Sequence, residues 1–201
     1  MARAKANTYH HGNLRQALIR AAITLIERDG AAAELSLREV ASTAGVSQAA
    51  PYAHFSDKRA LLAAVAEVGF TRLAASMRQG VRPSSSPAQR FLATGRGYVQ
   101  FAVRSPGMFR LMFGANLGGL ADFPDLQAKA DTAYGLFVEA LDAVTTSTKP
   151  GDMTALRLST WSLIHGLASL LVEQRLPVDR KRAQELVESV TEFHLRQVTA
   201  H

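Results

Sequence analysis

A single glycine turn constrains this chain more than any other feature. The stretch runs Ser36-Leu37-Arg38-Glu39-Val40-Ala41-Ser42-Thr43-Ala44-Gly45-Val46-Ser47-Gln48-Ala49-Ala50-Pro51-Tyr52-Ala53-His54-Phe55, and it reads as two short helices meeting at Gly45. Ser36 and Glu39 have the spacing of a capping box, in which the hydroxyl takes the N3 amide and the glutamate reaches back to the cap amide. Leu37, Val40, Ala41 and Ala44 recur at helical spacing and make a small apolar face. Gly45 is free to take the left-handed conformation that closes a helix. Val46 is expected to plug the corner. Ser47 is a second N-cap candidate, so the next helix is expected to open at Gln48. Pro51 falls in its first turn, where a missing amide costs least. Two short helices, a tight turn with glycine and a polar start to the second describe a helix-turn-helix, expected over residues 36–55.

A second helix of this kind reads bases with a few side chains while flanking groups hold phosphates. Gln48 is the best base-reading candidate, because an amide pairs bidentately with adenine, and Ala49 and Ala50 offer methyl contact to thymine. Thr43 and Ser47 are suited to either base or phosphate. Ser36 and Arg38, at the start of the first helix, complete the candidate surface. Phe55 is expected in the core, fastening the second helix to the one that follows.

The wording of the stretch is more specific than its geometry. Gly45-Val46-Ser47-Gln48-Ala49-Ala50-Pro51-Tyr52, then His54-Phe55, Asp57-Lys58 and Leu61-Leu62, resembles the tetracycline-repressor (TetR/AcrR-like) family of transcriptional regulators. The resemblance runs from about Tyr9 to Leu62. Ala53 departs from it, since a larger and often polar residue is common there. The resemblance implies phosphate contacts at Tyr52, His54 and Lys58. Lys58 in the first turn of a helix is misplaced on dipole grounds alone, and a phosphate at that helix N-terminus would remove the objection.

Net charge is +6, and residues 1–80 hold ten Lys and Arg against six Asp and Glu, while residues 81–201 are nearly balanced at thirteen against eleven. The excess therefore lies where the helix-turn-helix lies, which suits a polyanionic partner. The 201 residues contain no cysteine, which excludes disulfide and thiolate chemistry and fits a cytoplasmic setting. Met1 to Arg15 lacks the apolar core of a secretory signal. No apolar run approaches a membrane span; Leu163 to Val172 is too short and is interrupted by His165.

In chain order, residues 1–8 with Arg3 and Lys5 read either as an arm that follows DNA or as a frayed terminus. Leu14, Leu18, Ala21, Ala22, Leu25 and Ile26 form a helical stripe closed by Asp29-Gly30. The pair His10-His11 is read as phosphate-contacting or solvent-exposed in preference to a metal site, since neighbours on a helix diverge by about 100° and no third ligand is nearby. Ser56 is expected to cap a longer helix striped by Leu61, Leu62, Val65, Val68 and Leu73. Gly80-Val81-Arg82-Pro83-Ser84-Ser85-Ser86-Pro87 is the clearest linker. It divides a DNA-binding domain, 1–80, from a ligand-binding and dimerisation domain, 81–201, and leaves the former tied mainly through the helix ending near Arg78.

The second half is expected to be helical throughout. Its opening helix stops at Ser105-Pro106, where Ser105 is able to cap the next with Pro106 at its first position. Gly114 to Gly119 lacks the Gly-Lys-Ser/Thr ending of a phosphate-binding loop and is read as a flexible connection. A long helix runs from Asp125 to about Thr146, with a turn around Lys149-Pro150-Gly151. Met153 to Gln174 is apolar on two faces and therefore needs two partners. Arg180 to Val198 has a single apolar stripe. Pairing these last two helices with a second copy would make a four-helix bundle and bury the surplus. No strand alternation and no repeat is visible, so the fold class is all-α.

Trp161-Ser162-Leu163-Ile164-His165-Gly166-Leu167-Ala168, with Tyr98-Val99-Gln100-Phe101-Ala102 and Phe109-Arg110-Leu111-Met112-Phe113-Gly114, resembles the WHG-type regulatory domain of the same family. Phe91, Tyr98, Met108, Phe109, Met112, Phe137, Trp161 and His165 are the candidate ligand-contacting residues, each also at home in an ordinary helical core. His165 in a core would be held by a carbonyl. Catalytic residues, metal ligands and cofactors are not expected, for lack of metal spacing, a nucleophile elbow or paired carboxylates. The resemblance implies a homodimeric repressor released from a palindromic DNA operator by a small-molecule effector. A constitutive architectural DNA binder, an activator, and a small helical enzyme or carrier stay open as other readings.

Overall fold

The computed structural model describes residues 11–30, 32, 34–145 and 152–199. The possible DNA-following arm at residues 1–8, the His10 half of the histidine pair, and the turn at Lys149-Pro150-Gly151 lie outside these residues. Eight α-helices and no strand occur among the described residues: α1 His11–Asp29, α2 Leu37–Thr43, α3 Lys58–Arg78, α4 Pro87–Arg104, α5 Pro106–Phe113, α6 Pro124–Asp142, α7 Met153–Val172 and α8 Arg180–Thr199. The all-α expectation holds.

The turn after α2 closes as its chemistry requires. Gly45 sits at φ +70°, its amide donates to the Ser42 carbonyl at 3.1 Å, and the Val46 amide donates to the Ala41 carbonyl at 3.0 Å. These two bonds satisfy carbonyls that the helix end would otherwise leave unpaired. Only half of the expected capping box forms. The Ser36 hydroxyl accepts from the Glu39 amide at 3.2 Å, but the Glu39 carboxylate accepts from the Arg28 guanidinium at 3.2 Å instead. A full positive charge on α1 outcompetes a backbone amide for that carboxylate.

Two other local expectations are corrected. The helix after Ser47 does not open at Gln48: residues 48 and 49 form a turn, and a short 3₁₀ helix spans Ala50–Ala53 without a side-chain cap. Buried Pro51 has no amide to donate, which favours so tight a segment. The cap of α3 is Asp57, whose carboxylate accepts from the Ala60 amide at 2.8 Å, and not Ser56. An ionised acceptor at a helix N-terminus is the stronger partner.

α3 is the central post. Leu61, Leu62, Val65, Phe70, Leu73 and Met77 are all buried along it, because α1, α4, α5 and α6 pack around it. The buried core runs without a break from Leu18 on α1 to Val187 on α8. Phe55 belongs to it, 3% exposed, as expected of the residue that fastens the 3₁₀ helix. Ser86 and Gln89 form a complete capping box at the start of α4.

α7 is the anomaly. Both α3 and α7 have the length and mean hydropathy (1.4 and 1.3) of a membrane span, contrary to the sequence expectation, but α3 is 61% buried over that window and α7 only 22%. α3 is thus explained by the core. The apolar surface of α7 is largely uncovered in the single chain, with Leu158, Leu163 and Leu170 exposed, and Phe193 of α8 beside it in the same class.

Candidate functional site

The first candidate surface is built by α2, the glycine turn and the 3₁₀ helix. Arg38, Thr43, Ser47, Gln48 and Ala49 are exposed, and Ala50, His54 and Lys58 are partly so. Tyr52 is 60% exposed, unusual for a large aromatic ring that has no interior to fill. Beneath it Pro51 and Phe55 are buried, and the Arg15 guanidinium lies 5.4 Å from the centre of the Phe55 ring. The chain therefore splits this segment cleanly: apolar anchors inward, amide, hydroxyls and phenol outward. Ser36 stands apart, because its hydroxyl is already engaged in capping α2.

The second is a cavity of about 250 Å³ between α3, α4, α5, α6 and α7. Tyr98, Met112, Phe137 and Trp161 line it. Of the other candidates, Phe91, Met108 and Phe109 are 1%, 0% and 3% exposed in the core and form no part of its wall. Phe70, Leu73 and Met77 of α3 and Phe113 of α5 complete the floor. The mouth is Gln127, Asp131 and Tyr134 on α6, with the Gln127 amide donating to Asp131 Oδ1 at 2.7 Å. Sequence reasoning did not single out these three as site residues. Their signal was a polar pair four residues apart, bordering the Ala130, Ala133, Tyr134 and Phe137 stripe.

His165 stands behind that wall and not in it. Its Nδ1 lies 2.8 Å from the Tyr98 hydroxyl, so its partner is a phenol and not the carbonyl that a core histidine was expected to find. The rings of Phe113, Phe109 and Trp161 lie with centroids 4.7, 5.3 and 5.4 Å from the imidazole. Burial among them lowers the His165 pKa and keeps the ring neutral. Burial raises the Tyr98 pKa. Either the phenol donates to Nδ1 or an Nδ1–H donates to the phenol oxygen, according to the imidazole tautomer.

A short helix connects the two sites. α5 supplies Met112 and Phe113 to the cavity, and its first amides dock on α1. The Gly107 and Met108 amides donate to the two oxygens of Glu27 at 3.2 and 3.1 Å. Ser105 makes no side-chain cap; a carboxylate from another helix has taken the place expected of it, favoured there by the helix dipole. A Cβ on Gly107 would lie 2.3 Å from the Ile26 carbonyl oxygen, so only glycine admits this approach. At the other end Arg110 donates to the Val172 carbonyl at 2.9 Å and pairs with Glu173 at 2.7 Å. The N-terminal helices are therefore tied to the second half through α5 as well as through α3, which corrects the expectation that residues 1–80 are tied mainly through the helix ending near Arg78.

Comparison with known proteins agrees with this anatomy. Residues 18–65 match the family model described as bacterial regulatory proteins, tetR family, and residues 91–193 match the tetracyclin repressor-like C-terminal domain. A solved structure of a protein with unknown function from Rhodococcus sp. RHA1 is 33% identical, covering 96% of this chain and 98% of that one, with a TM-score of 0.78. A tetR-family transcriptional regulator from Streptomyces coelicolor is 24% identical over 94% of this chain and 82% of its own, with a TM-score of 0.72. The fatty acid degradation regulator FadR from Bacillus halodurans shares the fold at 15% identity, with 96% and 97% covered and a TM-score of 0.71. No curated protein matches the chain. With both halves matched, and the second match alone spanning more than half of the sequence, the chain belongs to the tetracycline-repressor family of transcriptional regulators.

Proposed function

We propose that the protein is a cytoplasmic repressor that binds a palindromic operator as a homodimer and is released by a small molecule in the α3–α7 cavity. Residues 1–80 act as the reading domain and 81–201 as the sensing and pairing domain, with no enzymatic step. Gln48 reads a base, Ala49 and Ala50 contact thymine methyls, Thr43, Ser47 and Arg38 flank them, and Tyr52, His54 and Lys58 hold phosphates. The uncovered apolar faces of α7 and α8 pair with those of a second copy.

One observation carries the effector reading: α5 both walls the cavity and docks on the reading head through Glu27. A ligand that binds more tightly when α5 is displaced shifts the heads away from the operator, whereas one with equal affinity for both arrangements shifts nothing. The test is to enrich random DNA on the protein and then screen compounds for release of the selected sequence. Gln48→Ala should relax preference at one position per half-site by about 1–3 kcal/mol. Lys58→Ala should weaken all sequences alike and flatten the salt dependence. Ala130→Trp, which fills the cavity mouth, should bind the operator but no longer release it. Enrichment that selects no sequence refutes the operator reading, and normal release from Ala130→Trp refutes the cavity.

A further inference from the structure

The chemistry of the cavity wall restricts what it takes. Resting on the effector reading above, we propose that the ligand is a flat aromatic molecule carrying a positively charged nitrogen. Phe70, Tyr98, Tyr134, Phe137 and Trp161 contribute to the wall, and the Tyr134 ring meets Phe137 at 5.9 Å and Trp161 at 6.2 Å. Such faces attract a cation and stack on a planar ring. At the mouth stands Asp131, an exposed carboxylate whose recorded partner is the Gln127 amide at 2.7 Å. It takes part in none of the ion pairs found among the described residues.

Equally telling is what the wall omits. Among the described residues that line the cavity there is no lysine, arginine or histidine, so a carboxylate or phosphate would enter without a counter-charge and against Asp131. His165 offers no relief, because it lies behind Tyr98 and is held neutral by burial. The space also limits length. About 250 Å³ lies just under the usual range of ligand sites, which run from roughly 300 Å³ upward. It suits two fused rings with a short amine arm better than a long acyl chain.

Three probes of one shape and different charge test this: naphthylethylamine, naphthylethanol and naphthylacetate, titrated into the full-length protein by calorimetry. A single near charge at a solvated mouth should favour the amine over the alcohol by about tenfold, with the acetate weakest. Asp131→Asn should bring the amine down to the alcohol, and Ala130→Trp should abolish binding of all three. Equal or tighter binding of the acetate, an Asp131→Asn protein that keeps its amine preference, or no binding of any probe overturns the assignment. Operator release, measured separately, keeps the two readings apart. Acetate that binds in the cavity and releases DNA overturns the ligand class alone. An amine that binds as expected and leaves DNA bound overturns the effector role alone.

Discussion

Glu27→Gln is the sharpest perturbation of the link between the two halves. The substitution keeps the shape of the side chain but leaves one acceptor oxygen where two α5 amides now donate, at 3.2 and 3.1 Å. A net hydrogen bond to a charged group contributes about 1.5–3 kcal/mol, and these two are long for their kind, so the lower end applies. Loss of one such bond and of the negative charge at the start of α5, about 0.5 kcal/mol, totals about 2 kcal/mol. Water relieves the remaining donor-against-donor clash, since Glu27 is only partly buried. With a urea slope of roughly 2 kcal/mol/M, the unfolding midpoint should fall by about 1 M. Wild type and variant must be compared at one protein concentration, because association adds to stability. A second measurement reads coupling directly: an effector should still bind the cavity but release operator less completely. A midpoint shift under about 0.2 M, together with unchanged release, would show that the α1–α5 contact carries neither stability nor signal.

Gly97→Ala should destabilise, because its Cβ would lie 2.2 Å from the Ser76 carbonyl oxygen and 2.7 Å from Met77 Cα; separating α3 from α4 costs about 1–3 kcal/mol or more. Gly135→Ala, with nothing within 4 Å of the new methyl, should instead stabilise by about 0.8 kcal/mol through helix propensity, and both are checked by urea unfolding. Phe193→Asp, at a position 60% exposed in the single chain, should leave urea stability of the monomer nearly unchanged yet yield monomers in sedimentation at micromolar concentration; an intact dimer would place the interface elsewhere. Burial lowers the pKa of both His165 and His194, so the unfolded chain binds protons first as pH falls below about 6.5. Stability should hold above that value and fall below it, until the folded-state pKa values are passed. His165→Gln should shrink the drop between pH 7.5 and 5.5, and an unchanged drop would assign it to other groups.

The amino-acid sequence by itself determined the elements whose causes are local. Gly45 closes α2 because only a residue indifferent to positive φ sits there without strain, and the φ of +70° is what that chemistry requires. The apolar stripes of α1 and α3 were legible at helical period, and so was the core position of Phe55. The outward-facing set around Gln48 was legible too, since polar residues among buried anchors have nowhere else to go. Caps were read less well, because a cap is a competition. Glu39 went to Arg28 and Glu27 displaced Ser105, each a full charge winning over a weaker local partner from a distance in sequence that pattern reading does not span; Asp57 displaced its neighbour Ser56 as the stronger acceptor.

Only the tertiary structure decided which of the many aromatic residues share a cavity. Phe91, Phe109, Phe137 and Trp161 look alike in sequence, yet the first two are core packing and the last two are wall, because the crossing of five helices sets the open space. It also decided that α5 touches α1: residues 27 and 107 are 80 positions apart, and the contact exists because α3 carries both helices on one post. α7 likewise reads from sequence as two-faced, but which face stays uncovered follows from where α4 and α8 pack against it. Local chemistry specifies helices, turns and the exposed polar set around Gln48. The cavity, the strap between the halves and the unpaired face arise from packing geometry, which no single segment encodes.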